Sequence, residues 1–448
     1  MRSKILCALI IFFYIAASQA QQGFYIEDNA QKSNKIRFKL INNLIIIPVE
    51  VNGIELSFLL DTGVSKPIIF NYEDIKEVLK LNHTKIVYLK GLGSGEPVEA
   101  IKSEFNVVKI GNVKCKQEDF YVINSKDISF SPRLGIPVHG VIGHDVFKDF
   151  IVKVNYSAQY LRIYSPKTYK YKKCKKCETL PITVHNSKPY INSIIQQDSI
   201  EIPVKLLVDT GGSDALWLFE DDSLGIHLGN KKYFEDFLGH GLSGSVYGKR
   251  TKIRKFKLNH FELERPNVAF PDSVSILATK LVSDRNGSIS GNILRRFNII
   301  FDYPNRKMTF KKNKHFNDKF SYNKSGIELE HSGVRFLQEE VIEFDNNNPY
   351  QSSSQNDSGT QIKLERRFKL SVKPAFTVVE LRNNSPAEKA GIRMGDIIIK
   401  INGKETHKMN LQEVMAKFYD DDGKVIKLII EREGITMPFT FELESLLK

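Results

Sequence analysis

The sequence predicts a mainly β chain built from one duplicated lobe, followed by a smaller α+β module. Three observations carry that prediction. The tripeptide Asp-Thr-Gly occurs twice, at Asp61-Thr62-Gly63 and Asp209-Thr210-Gly211, each time closing an apolar run, Phe58-Leu59-Leu60 and Leu206-Leu207-Val208. Other landmarks repeat in step. A Gly-x-Gly pair begins 30 residues past each Asp, at Gly91/Gly93 and Gly239/Gly241, and a glycine lies 82 residues past each, in Val141-Ile142-Gly143 and Ile289-Ser290-Gly291. Self-similarity at a fixed offset marks an internal duplication. Finally, the sequence changes character after Phe316, passing through a polar tract into a region with its own helix caps and turns.

Taken in order, Arg2 and Lys4 precede an apolar stretch from Ile5 to Ala17, and Ser18-Gln19-Ala20 offers a small-residue cleavage site, so residues 1–20 read as a secretory signal. No later run reaches spanning length, so the mature chain is expected to have no transmembrane span. The first lobe is assigned to residues 21–166. Strands are expected at 36–40, 44–51 and 54–60, with Asn52-Gly53 as a hairpin turn and Asp61 just past a strand end. A short helix is expected at 73–81, then strands around 107–110 and 121–123. The second lobe, 167–317, resumes its β pattern near Pro181 and ends with strands at 297–303 and 308–310.

At 448 residues the chain is long enough for two or three domains. Its formal charge of +13 is spread along the sequence, with a local run from Lys167 to Lys176. A solvated basic face is the default reading, and affinity for anionic envelope surfaces or acidic substrates the alternative. The Gly-x-Gly pairs open no convincing βαβ unit, which argues against a nucleotide cradle, and no nucleic-acid partner is expected. Once the signal is removed, Cys115, Cys174 and Cys177 remain, too few for a disulfide framework. Cys174-Lys175-Lys176-Cys177 lacks a second ligand pair, with His185 alone nearby, so it reads as a local disulfide or two unpaired thiols rather than a zinc site. No metal or cofactor is expected.

Two Asp residues at matching positions of a duplicated chain suit amide hydrolysis without a covalent intermediate. Carboxyls held within hydrogen-bond distance in an apolar cleft cannot both ionise cheaply, so they share a proton and their apparent pKa values separate. The ionised member then takes a proton from water while its partner donates to the scissile carbonyl oxygen. Gly63 and Gly211 let the chain turn sharply, and the Thr62 and Thr210 hydroxyls can cross-bond the two loops.

Both copies resemble the active-site motif of aspartic proteases, in a duplicated single-chain arrangement covering roughly residues 36–313. The resemblance implies a two-lobed acid-protease β-barrel fold, with Asp61 and Asp209 catalytic and supported by Thr62, Gly63, Thr210 and Gly211. It also implies glycine-rich flaps over the substrate, at Gly91, Gly93 and Gly95 and at Gly239, Gly241 and Gly244. Val64 and Gly212 stand where pepsin-like enzymes carry a hydroxyl, and both lobes have a candidate flap, which is closer to retroviral-type proteases. Ser65 and Ser213, one position later, are placed to hydrogen-bond backbone or a substrate strand. Because one chain supplies both aspartates, dimerisation is not required for catalysis.

The region from about residue 318 resembles a bacterial-type PDZ domain, with the polar tract at 345–361 inserted within it. Ser385-Pro386-Ala387 caps a short helix that Gly391 ends, Gly395-Asp396 turns into a buried strand, and Asn402-Gly403 makes a hairpin. Ser325-Gly326-Ile327-Glu328-Leu329 supplies a first strand. The resemblance implies a peptide groove between an edge strand beginning with Phe376 and Val378 and a helix bearing Leu411 and Met415. Lys373-Pro374-Ala375 stands where the carboxylate-binding glycine loop is expected. The whole reads as an exported aspartic endopeptidase acting on protein or peptide substrates, with a PDZ-like domain binding a further peptide. Its expected place is a bacterial periplasm, cell envelope or exterior. The alternative is a non-catalytic peptide-binding protein that retains the protease fold.

Overall fold

The computed structural model describes residues 23–27, 34–124, 128–277, 284–343 and 365–447. The signal stretch at 1–20 and the polar tract at 345–361 lie outside the described residues. Strands Leu44–Val51 and Ile54–Leu60 form on the predicted boundaries. Their apolar side chains other than Pro48 and Ile54 are buried, and Asn52 and Gly53 both take positive φ, 49° and 90°, the turn geometry that matches strand twist. The predicted helix at 73–81 is not formed. The chain makes one 3-10 turn, Tyr72–Asp74, entered from Asn71 at φ 52° without a side-chain cap. Leu79 is the one fully buried side chain of that stretch, so no apolar face is available to hold a helix down.

Two sheets repeat one plan. The central order in the first lobe is Ile68–Phe70, Gly140–Ile142, Ile54–Leu60, Leu44–Val51; in the second it is Leu216–Leu218, Gly287–Ser290, Ile200–Asp209, Lys188–Gln197. In both, the strand leading into Asp-Thr-Gly pairs in parallel with the strand that carries the later glycine segment. A third sheet joins the lobes. Phe297–Asp302 of the second lobe pairs antiparallel with Ile151–Asn155 of the first, flanked by Lys307–Lys312 and Cys177–Pro181 on one side and Tyr160–Tyr164 and Asn34–Arg37 on the other. One apolar core runs through both lobes, from Val49, Phe58 and Leu60 to Leu206, Val208 and Phe301. Cys174 and Cys177 are joined as a disulfide, and Cys115 is free and buried.

The C-terminal module has a separate core around Ile327, Phe376, Val378, Val414, Phe418 and Leu428. Ser385 caps Pro386–Lys389 by accepting from the Glu388 N–H, and Asn410 and Glu413 form a capping box on Leu411–Ala416. The sheet runs Ile327–Glu343, Glu365–Leu381, Ile397–Ile401, Val425–Arg432, Ile435–Glu442. This order corrects the predicted groove. The strand containing Phe376 and Val378 is paired on both sides, and both side chains are buried in the core. The strand before the polar insertion takes the edge instead, and the helix bearing Leu411 and Met415 packs beside it. The loop entering that edge is therefore 322–326, not Lys373-Pro374-Ala375.

Candidate active site

Each Asp is delivered by a buried strand. Asp61 follows Ile54–Leu60 and donates its N–H to the Ile142 carbonyl at 2.8 Å, while Asp209 is the last residue of Ile200–Asp209. The loops then fold alike. The Gly63 N–H donates to Asp61 Oδ1 at 2.6 Å, and the Gly211 N–H to Asp209 Oδ1 at 2.9 Å. The structure brings the two carboxyls together. Both crowd Gly63, where a Cβ would stand 3.0 Å from Asp61 Oδ1 and 3.4 Å from Asp209 Oδ1. A Cβ on Gly211 would lie 2.2 Å from the Asp61 carboxyl carbon, so any larger residue there would displace the acid.

The threonines lock this arrangement from below. The Thr62 hydroxyl donates to the Val208 carbonyl at 2.6 Å and accepts the Thr210 N–H at 3.0 Å. Reciprocally, the Thr210 hydroxyl donates to the Leu60 carbonyl at 2.7 Å and accepts the Thr62 N–H at 3.0 Å. Both threonines are buried, so four backbone groups from two lobes depend on two hydroxyls. Ser65 and Ser213 are exposed, and neither hydroxyl makes a hydrogen bond among the described residues. Ser213 contributes its carbonyl, which accepts from Asn43 Nδ2 at 2.8 Å.

Burial first, and then the charge of Asp209, push the Asp61 carboxyl up to about 8, against the pull of the Gly63 N–H. Two cations act on the pair from nearby, Lys188 on Asp61 and Asp209 and Arg285 on Asp209, and burial lowers the pKa of each. Such a site separates an acid from a base within one pair of like groups.

The glycine segments predicted as flaps meet at their tips. Residues 90–97 connect Thr84–Leu89 to Val98–Ile110, and Phe234–Gly241 with Gly244–Lys252 forms a hairpin in the second lobe. The Ser243 N–H donates to the Leu92 carbonyl at 2.8 Å, the Gly95 N–H to the Ser243 carbonyl at 2.8 Å, and the Gly91 N–H to Ser243 Oγ at 3.1 Å. A Cβ on Gly241 would stand 2.2 Å from the Leu92 carbonyl oxygen, and one on Gly93 2.4 Å from that of Ser243. The glycines are there for backbone-on-backbone contact. Gly239 and Gly244 supply the positive φ of the hairpin, 141° and 109°.

Several residues at the site were not singled out in the sequence. Leu92 packs with Trp217 against Leu238, Val246 and Ala269 of the second lobe, while Leu242 packs against the first-lobe cluster of Leu44, Ile46, Leu134 and Val141. Asp214 accepts from Trp217 Nε1 at 2.8 Å and from Arg250 Nη1 at 2.7 Å, and Arg250 Nε reaches Asp236 Oδ2 at 2.8 Å. The one available signal was an Asp five residues past Asp209 with a lone Arg in the flap strand.

Residues 47–146 match the aspartyl protease family, and residues 377–432 match the PDZ domain. The chain carries an aspartyl protease domain followed by a PDZ domain. The family match covers the first Asp-Thr-Gly, and the structure repeats the same strand order around the second. The carboxy-terminal processing protease CtpA of Bacillus subtilis (strain 168) is 43% identical over 58 residues, which is 13% of this chain and 12% of that protein. A shared stretch of that length, in the PDZ region, speaks for the PDZ module and not for the chemistry.

Proposed function

We propose that this protein is an aspartic-type endopeptidase whose acid and base are Asp61 and Asp209. The observation that supports it is the buried, adjacent carboxyl pair, held by reciprocal threonine bonds, with one member pushed up to about 8. In this reading Asp61 holds the proton and Asp209 is the base. Asp209 removes a proton from a water lying between them, and the oxygen attacks the scissile carbonyl carbon. Asp61 gives its proton to the carbonyl oxygen. The tetrahedral gem-diol collapses as the carbon–nitrogen bond breaks: the proton held by Asp209 passes to the leaving nitrogen and one hydroxyl proton returns to Asp61, giving the amine and acid products and restoring the starting pair. An extended peptide lies under the two flaps, which exclude water from the pair. Both aspartates come from one chain, so catalysis needs no second copy.

The proposal extends to location. A signal at residues 1–20 and a disulfide between Cys174 and Cys177 support export to a bacterial periplasm, envelope or exterior. Among the described residues no helix is long and apolar enough to cross a membrane.

The test is to incubate the purified mature protein with a mixed peptide library, with and without a statine-type inhibitor. Inhibitor-sensitive cleavage that vanishes in Asp61→Asn and Asp209→Asn supports the proposal. Peptide binding without cleavage, unchanged in both variants, overturns it in favour of a binding protein.

A further inference from the structure

The free edge of the PDZ sheet is not open to solvent along its first turn. A PDZ groove lies between an edge strand and a helix, and takes an extended peptide as an added strand. Here the edge is Ile327–Glu343 and the helix is Leu411–Ala416. A short helix of the protease domain, Ser131–Leu134, lies against the edge strand, and the residues that follow it reach the groove helix. Arg133 Nε meets Glu330 Oε1 on the edge strand at 2.6 Å. Gln412 Nε2 on the groove helix donates to the Leu134 carbonyl at 2.6 Å. Gly135, at φ 62°, approaches so closely that a Cβ would stand 2.8 Å from that of Leu411. The protease segment thus touches both walls.

That segment is shaped before it meets the groove. Val138 donates its N–H to Ser131 Oγ at 2.9 Å, closing the turn, and Pro132 and Gly135 set its start and end. Its other face carries Phe130, Leu134, Ile136 and Val138, packed in the first-lobe cluster that also receives Leu242. The groove in turn is not built for a chain terminus. The N–H groups of Ser325 and Gly326, in the loop where a terminal carboxylate would sit, already donate to Asn323 Oδ1 at 3.1 and 3.2 Å.

The same turn, and Glu380 and Arg382 of the PDZ module beside it, reach the second flap. The Arg133 guanidinium lies over the Phe237 ring at 4.4 Å, Tyr247 Oη donates to Glu380 Oε1 at 3.1 Å, and Arg382 Nη1 lies 3.6 Å from Asp236 Oδ1. Phe237, Tyr247 and Asp236 all belong to the flap hairpin. We propose that the PDZ groove holds the protease domain's own 131–135 turn as an intramolecular ligand, and that an internal peptide offering an arginine to Glu330 competes for the groove and releases the second flap. The proposal rests on the endopeptidase reading only in treating that hairpin as the gate of the cleft.

The experiment is hydrogen exchange on the full chain, reading flap amides 234–252. Arg133→Glu is expected to speed their exchange about tenfold or more, since loss of a part-buried pair is worth a decade or so in an opening equilibrium. Gln412→Ala acts in the same direction, and the charge-swapped Arg133→Glu/Glu330→Arg chain, which rebuilds the ion pair but not the Phe237 contact, regains part of the wild-type protection. A synthetic peptide of residues 128–138, added in excess to the wild-type chain, speeds the same amides. Unchanged flap exchange in Arg133→Glu, failure of the swapped pair to regain any protection, or no effect of the peptide each overturns the proposal. The readout needs no turnover, so it is made equally in Asp209→Asn, and failure here leaves the hydrolytic reading to its own test.

Discussion

Leu92 and Leu242 have exchanged lobes: each sits at the tip of one flap and packs into the apolar cluster of the other. With Ser243 bonded to Leu92, closure is a joint property of both flaps. Truncating either anchor, in Leu92→Ala or Leu242→Ala, is expected to remove about 1–2 kcal/mol from the closed state, since both leucines are only partly buried. The Michaelis constant for a peptide substrate should rise several-fold in each, measured by steady-state kinetics, with chemistry in single turnover less affected.

Removing the paired acids separates chemistry from fold. Asp61→Asn or Asp209→Asn should lower turnover by about a thousandfold or more while circular dichroism is unchanged. Stability should move the other way for Asp61. Its folded pKa of about 8 lies above the ordinary 3.8, so the stability it contributes is full below about pH 4 and is lost as pH rises through 8. Asp61→Asn should therefore equal the parent chain near pH 4 and exceed it by several kcal/mol at pH 9, about 5 kcal/mol for a shift of this size, measured by urea denaturation.

In the proposed reaction the same shift sets the alkaline limit. A proton retained on Asp61 up to about 8 keeps the acid available at neutral pH. The rate profile should fall only as pH passes that value, with an optimum less acidic than that of pepsin. A maximum near pH 2 is the result that contradicts it.

The threonine lock should be expensive to break. In Thr62→Val the Val208 carbonyl and the Thr210 N–H lose their partner in a buried setting. A loss of about 2–4 kcal/mol is expected from two stranded backbone groups, with a matching loss in Thr210→Val. Thr62→Ser, which keeps the hydroxyl, should recover most of it.

Much of the first lobe was legible because its information is local. Apolar runs around Asn52-Gly53 are a hairpin on any backbone that can satisfy them, and the two Asp-Thr-Gly copies announced their own pairing by their equal offsets. The short helix expected at 73–81 failed because propensity without a cap or a buried face does not hold a helix. The PDZ edge was misplaced for a different reason. Which of two strands flanks the helix depends on pairing across an insertion, and nothing near Phe376 or Val378 in the sequence encodes a partner as far off as Ile327. The Asp214–Arg250–Asp236 chain and the exchanged leucines were hidden likewise, since each contact joins segments that meet only after the lobes have folded.

The sheet that interleaves Ile151–Asn155 with Phe297–Asp302 has a practical consequence for how this protein ages in a protease-rich surrounding. A nick in the exposed stretch between the lobes, residues 170–173, would sever the backbone without parting the halves, which remain clasped by a continuous ladder of hydrogen bonds. Such a clipped molecule would migrate as two fragments under denaturing conditions and as one particle in native buffer.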